Sequence, residues 1–116
     1  AVLEDGNLVV CDNSNNRLQI LTPEGDFVRA IGRHGDGNLE FNGPDAVAVL
    51  EDGNLIVCDH YNHRLQILTP EGDFVRTIGR QGDGNLEFRY PDGVIAFDGS
   101  PDSIAVLDRD HVAVTH

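Results

Sequence analysis

Short apolar runs punctuate this chain. Leu8 to Cys11, Leu18 to Leu21, Phe27 to Ile31 and Ala46 to Leu50 are each four to five residues long, and Gly, Pro, Asn or Asp bounds them. Val, Ile, Leu and Phe fill them, which is the grammar of short β-strands. The intervals carry turn chemistry. Glu4-Asp5-Gly6-Asn7 and Pro23-Glu24-Gly25-Asp26 place Gly or Asn where a tight hairpin needs positive φ. Asn13 to Asn16 is a polar loop, and Gly35-Asp36-Gly37-Asn38 opens a longer connection.

The pattern then recurs. Residues 1–47 and 48–94 agree at 38 of 47 positions without insertion or deletion, and a shorter, divergent third copy fills 95–116. Each repeat is one supersecondary unit that buries its apolar face only by stacking on its neighbours. The spacing predicts strands a to d of the second copy at Ala46–Leu50, Asn54–Cys58, Arg64–Leu68 and Phe74–Ile78. The first copy begins inside its strand a. The third is expected to have strands at Val94–Phe97, Ser103–Leu107 and Val112–Thr115, with no strand d. Four-stranded antiparallel units joined by long links are blades of a β-propeller. The expected fold is therefore all-β: two complete blades and a partial third.

Three segments then identify a repeat type. Gly-Asp-Gly-Asn-Leu-Glu-Phe-Asn-Gly-Pro-Asp-Ala-Val-Ala-Val at 35–49, Asp-Gly-Asn-Leu-Ile-Val-Cys-Asp at 52–59 and Asn-His-Arg-Leu-Gln-Ile-Leu at 62–68 together resemble the NHL repeat. The chain has no Trp for a WD dipeptide and no kelch-like double glycine. The third copy departs from the motif, because Asp108-Arg109-Asp110-His111 is a shortened b–c connection with no Asn-x-Arg after it. The resemblance implies a ring of about six blades, within the usual range for propellers. Two chains of three blades would close one; alternatively the sequence is a fragment of a longer chain, or an engineered piece.

The charge balance narrows the partners. Twenty acids against eight arginines, with no lysine, give a net charge of −12. Strong non-specific nucleic-acid binding and docking to anionic membrane are both disfavoured. No apolar stretch is long enough to span a bilayer, and no signal peptide is visible. Cys11 and Cys58 hold equivalent places in strand b of adjacent copies, a poor geometry for a bridge. Two buried reduced thiols are expected, in keeping with a cytoplasmic setting.

The nine differences between the copies cluster. Asn13/His60, Ser14/Tyr61 and Asn16/His63 lie in the b–c loop, and His34/Gln81, Asn42/Arg89 and Gly43/Tyr90 lie in the d–a link. In a blade both connections emerge on one side, while the invariant a–b and c–d turns, with Glu4, Asp5, Glu24 and Asp26, emerge on the other. The variable side gathers Asn13, Ser14, Asn16, Arg33, His34, His60, Tyr61, His63, Arg80, Arg89 and Tyr90. Aromatic and Arg side chains are favoured in binding hot spots, so this is the candidate ligand-binding face. The competing reading is drift in solvent-exposed loops.

Asp12, Asn15 and Arg17, matched by Asp59, Asn62 and Arg64, form a repeated Asp-x-x-Asn-x-Arg. An Arg at a strand start can pair with a carboxylate and with loop carbonyls, so this motif is expected to build the blade. His60 and His63 form a His-x-x-His, but no third ligand lies nearby in sequence and no metal site is expected. The Asp-Gly-Asn triplets lack the alternating ligands of a calcium loop. No nucleophile elbow is present and no lysine. Some NHL-like propellers are enzymes with a metal on the central axis, but inner positions such as Val47, Val49, Val94 and Ala96 are apolar or small. The expectation is a non-enzymatic module without cofactor that binds a protein or peptide. Single-stranded RNA on the same face, through Arg33, Arg80, Arg89, Tyr61 and Tyr90, is the first alternative. A self-assembling scaffold without a ligand is the second.

Overall fold

The computed structural model describes residues 1–81 and, beyond them, the strands Glu87–Phe88, Gly93–Ala96, Ile104–Leu107 and Val112–Thr115. Three antiparallel sheets follow one another along the chain. The first joins β1 (Leu8–Asp12), β2 (Arg17–Leu21) and β3 (Phe27–Ile31) in sequence order. After a link containing β4 (Arg33–His34) and β5 (Glu40–Phe41), the second joins β6 (Pro44–Val49), β7 (Leu55–Asp59), β8 (Arg64–Leu68) and β9 (Phe74–Ile78). The next link holds β10 (Arg80–Gln81) and β11 (Glu87–Phe88). The third sheet joins β12 (Gly93–Ala96), β13 (Ile104–Leu107) and β14 (Val112–Thr115). These are all-β propeller blades, and β12 lies against β6 of the blade before it.

Strands c and d of the second blade occupy the expected residues. Strand a starts two residues early, at Pro44, where an irregularity between Pro44 and Ala46 shifts the register. A bulge at a strand start tolerates proline, which has no N–H to give to the ladder. Strand b is offset by one, because Asp59 pairs with Arg64 across the ladder. Strand a of the first blade is reduced to a bridge between Val2 and Leu8.

The links are more ordered than their glycines predict. Arg33 and His34 pair in parallel with Glu40 and Phe41, so the link folds back on itself. The b–c loops are likewise single 3-10 turns, Asn13–Asn15 and His60–Asn62, each ended by a left-handed residue, Asn16 or His63.

One core lies between the first two blades. Val9, Leu18, Ile20 and Ile31 of the first sheet meet Leu55, Val57 and Leu68 of the second, and Phe41 of the link is wedged among them, fully buried. Burying a side chain of that size contributes about 2–3 kcal/mol. Ile56, Cys58, Leu65 and Ile67 point to the opposite face of the second sheet and form another cluster with Leu50. Strand alternation divides the second blade this way, with successive residues facing opposite sides of the sheet.

Both cysteines are free. Cys58 is buried as expected, but Cys11 is only half-buried. The residue opposite Cys58 in the ladder is Ala46, whereas Cys11 is paired on one side, with Leu18. Burial and the nearby Asp45 carboxylate push the Cys11 thiol up to about 11. Among the described residues no helix is long and apolar enough to cross a membrane.

Candidate functional site

The site begins with the repeated Asp-x-x-Asn-x-Arg. In the second blade Asp59 is completely buried at the end of β7. One carboxylate oxygen accepts the Asn42 N–H at 2.7 Å. The other accepts from Arg64 Nε at 2.8 Å, from Asn62 Nδ2 at 3.0 Å and from Gln66 Nε2 at 3.3 Å. Arg64 then spends its remaining donors on the incoming link. It reaches the carbonyls of Asp36, Gly37 and Glu40 at 2.8, 2.9 and 2.8 Å. Asn62 donates to the Gly35 carbonyl at 2.9 Å.

Gln66 completes the clamp. It is wholly buried, its Nε2 donates to the Glu40 carbonyl at 2.7 Å, and its Oε1 accepts the Leu39 N–H at 3.0 Å. A buried amide is stable only when its donors and acceptors are met, and here the link backbone meets them. Gln66 escaped the motif reading. The available signal was a polar residue in an otherwise apolar strand, Arg-Leu-Gln-Ile-Leu, at the same place in both copies.

Glu40 secures the link from within. Its carboxylate accepts the Gly37 N–H at 2.9 Å and Arg33 Nε at 2.8 Å. These contacts, the Gly37 N–H first, hold the Glu40 carboxyl below its usual range.

The clamp draws the b–c loop and the d–a link onto one side of the blades, as the antiparallel layout requires. Tyr61 N–H donates to the Asn42 carbonyl, and Gly43 N–H donates to Asn16 Oδ1 of the preceding blade, each at 2.9 Å. Asn13 Nδ2 bonds to Asp45 Oδ1, and His60 Nδ1 lies 2.9 Å from Asp45 Oδ2. Asn13, Asn16, His60 and Tyr61 thus surround Gly43 and Asp45, with residues from both blades. Tyr61 stands out of this patch with 56% of its surface exposed, edge-on to the His60 ring at 4.6 Å. Gly43 makes room for it. Its φ is +69°, and a Cβ there would sit 2.7 Å from the tyrosine ring.

The remaining candidates are more dispersed. Ser14 is exposed beside Asn13, and His63 is the left-handed residue that ends the turn. Arg33 and His34 are brought close on the link, where Gly35 meets Asn62. Arg80 is exposed on β10 of the next link. Arg89, Tyr90 and the Asp108–His111 connection lie outside the described residues. His60 departs from the expected surface loop, because its pairing with Asp45 half-buries it. No cluster of three or more His, Cys, Asp or Glu fit to hold a metal occurs among the described residues.

The opposite side behaves differently. A crevice of about 290 Å³ opens there, between the Leu3–Asp5 turn and the Asp52–Asn54 and Thr69–Glu71 turns. Its rim of Glu4, Asp5, Asp52 and Glu71 is strongly acidic.

Comparison with known proteins fits this geometry. No curated protein matches the chain by sequence. Among solved structures, a structural genomics protein of unknown function from Bacteroides thetaiotaomicron VPI-5482 superposes with a TM-score of 0.72 at 23% identity over 90% of this chain and 30% of that one. Hydrazine synthase from Kuenenia stuttgartiensis gives 0.64 at 18% identity over 93% of this chain and 31% of the other. A protein of unknown function from Bacteroides caccae gives 0.55 at 13% identity over 99% and 43%. The chain therefore spans less than half the length of each, and the likeness is one of fold. The family model "NHL repeat" matches residues 1–21 and 41–68, the segments that carry β1, β2 and β6 to β8 with both copies of the Asp-x-x-Asn-x-Arg. Matched by sequence at residues 1–21 and 41–68 and by shape in its blades, the chain carries NHL repeats and folds as successive β-propeller blades.

Proposed function

We propose that this chain is a non-enzymatic interaction module that binds a protein or peptide on the face made by its b–c loops and d–a links. NHL repeats point to protein interaction in general; the choice of face rests on Tyr61. It is an exposed aromatic, braced by His60 and by Gly43, on a patch otherwise made of Asn13, Asn16 and Asp45. A rigid aromatic loses little side-chain freedom on binding and anchors an apolar or cationic partner group.

Two features favour a peptide over single-stranded RNA. The arginines of this face that lie in the first two blades have carboxylate partners: Arg17 with Asp12, Arg33 with Glu40 and Arg64 with Asp59. The chain as a whole carries a charge of −12. Phosphate binding needs cationic groups able to release counterions, and these are neutralised internally.

A peptide library selected on the wild-type chain tests the reading. Selected sequences should lose at least about tenfold in affinity for Tyr61→Ala, the size of a hot-spot loss. Equal binding to both removes this face. An RNA titration at two salt concentrations tests the alternative; affinity that falls steeply with salt would favour it. The reading also places these blades in a larger ring, formed with more sequence or with a second copy. Light scattering on the isolated chain distinguishes an assembling chain from a monomer.

A further inference from the structure

One peptide unit is held by both blades at once. The Asn42 carbonyl accepts the Tyr61 N–H of the second blade, and the Gly43 N–H donates to Asn16 Oδ1 of the first, each at 2.9 Å. Both groups belong to the single amide plane between Asn42 and Gly43. Asn42 is anchored on its other side too, because its own N–H donates to the buried Asp59 carboxylate at 2.7 Å. Its side chain is the exception. It is half-buried, and its amide makes no hydrogen bond among the described residues.

The next residue makes that free amide consequential. Asn42-Gly43 is the one Asn-Gly step in the chain, and the second copy has Arg89-Tyr90 in its place. Asparagine is thermolabile, and a glycine after it leaves the backbone nitrogen open to reaction because no Cβ shields it. Once the Gly43 nitrogen yields its proton to hydroxide, it can attack the side-chain carbonyl carbon of Asn42. A new C–N bond closes a cyclic imide, the bond from that carbon to the side-chain nitrogen breaks, and ammonia leaves. Water then opens the imide at either carbonyl and leaves aspartate or isoaspartate at position 42. The sum consumes water and needs no other reactant.

The closed junction blocks the attack. The Gly43 nitrogen reaches the side chain only if the amide plane turns about the Asn42 Cα–C bond. That turn breaks the bonds to Tyr61 and Asn16 together, and Gly43 is itself buried against the tyrosine ring. Reaction therefore proceeds from an opened junction, at a rate set by how often the two loops part. The isoaspartyl product cannot close again in the same way. Its main chain runs through the former side-chain carbons, so a methylene is added between the Asp59 anchor and Gly43. The carbonyl that received the Tyr61 N–H becomes a free carboxylate beside Asp59 and Asp45.

We propose that Asn42 is a latent deamidation site, sealed while the first two blades share its peptide unit, and that its isoaspartyl product holds the junction open. The site is independent of whether Tyr61 binds a peptide.

The test incubates the chain at mildly alkaline pH and follows amide-to-acid conversion at position 42 by mass spectrometry of its fragments. Conversion in the folded chain should be at least about tenfold slower than in urea. Asn16→Gly suits the left-handed φ of 56° at that position but removes the acceptor of the Gly43 N–H. It should speed conversion at least about fivefold while leaving hydrogen exchange at the Leu18 amide unchanged. Asn16→Asp keeps an Oδ1 acceptor and should match the wild type. In the separated isoaspartyl product, exchange at the Tyr61 amide should accelerate at least about tenfold. Conversion as fast in the folded chain as in urea, equal rates in Asn16→Gly and wild type, or unchanged Tyr61 exchange in the isoaspartyl product would each overturn the proposal.

Discussion

Arg64 and Asp59 stand 2.8 Å apart, Nε to Oδ2, and the guanidinium that neutralises the buried carboxylate also gathers three carbonyls of the incoming link. One ion pair therefore fixes both the end of a blade and the path of the chain into it. Removing one partner of a buried pair leaves an uncompensated charge, at a cost of about 3–5 kcal/mol. Arg64→Ala should lower stability by about that amount in urea titrations. Arg17→Ala, at the more exposed pair with Asp12, should cost about 0–1 kcal/mol. Equal losses at the two sites would show that the link contacts add nothing.

Gln66→Leu tests the other half of the clamp. It strands the Leu39 N–H and removes one of two donors to the Glu40 carbonyl, which keeps its bond from Arg64. A buried orphan costs about 1–3 kcal/mol. Hydrogen exchange at the Leu39 amide should accelerate by at least about tenfold, while Gln19→Leu should leave that amide unchanged.

The Gly43–Tyr61 contact joins two positions at which the copies differ. Tyr61 corresponds to Ser14 and Gly43 to Tyr90. Gly43→Ala forces a side chain into positive φ and against the ring, at a cost of about 1–2 kcal/mol. Tyr61→Ser should relieve the clash but not the backbone strain. A double-mutant cycle should therefore show positive coupling, with about half the loss recovered. Strict additivity would mean that the ring does not touch the glycine.

Glu40 gives the fold an acid-sensitive limb. Its carboxyl lies below the ordinary value of 4.5 in the folded chain, through the Gly37 N–H first and then Arg33. A depressed folded value contributes stability that is present above the ordinary value and is lost as pH falls through the folded one. Stability should therefore begin to fall as pH drops below 4.5 and continue to fall until Glu40 is protonated. Asp12, lowered by its bond to Arg17 first, acts in the same direction, below its ordinary 3.8. In Glu40→Gln the acid limb, read as the urea midpoint against pH, should be shallower. An unchanged slope would remove Glu40 as a contributor.

Cys11 should react slowly for a half-buried thiol. With its thiol pushed up to about 11, only about one molecule in a thousand carries the thiolate at about pH 8. Alkylation there should be at least about a hundredfold slower than for an unperturbed exposed cysteine, and should accelerate as pH rises. Reaction at the rate of a free thiol would mean that the junction beside Asp45 opens.

The sequence by itself determined the modules. Apolar runs bounded by turn residues placed strands c and d of the second blade at Arg64–Leu68 and Phe74–Ile78, because strand length, alternation and hairpin chemistry are local properties. Repetition showed that loops of the same type share a side, since antiparallel strands leave no other arrangement. The tertiary structure decided which polar residues were structural. Gln66 reads as an ordinary strand polar until the link of the preceding repeat supplies the backbone groups that bury it. His60 and Asp45, or Gly43 and Tyr61, are sequence-distant pairs whose contact exists only once two connections are laid across each other. Asp59 is sealed only because the link of the preceding repeat packs on it, since burial depends on what packs against a surface and not on the residues that form it.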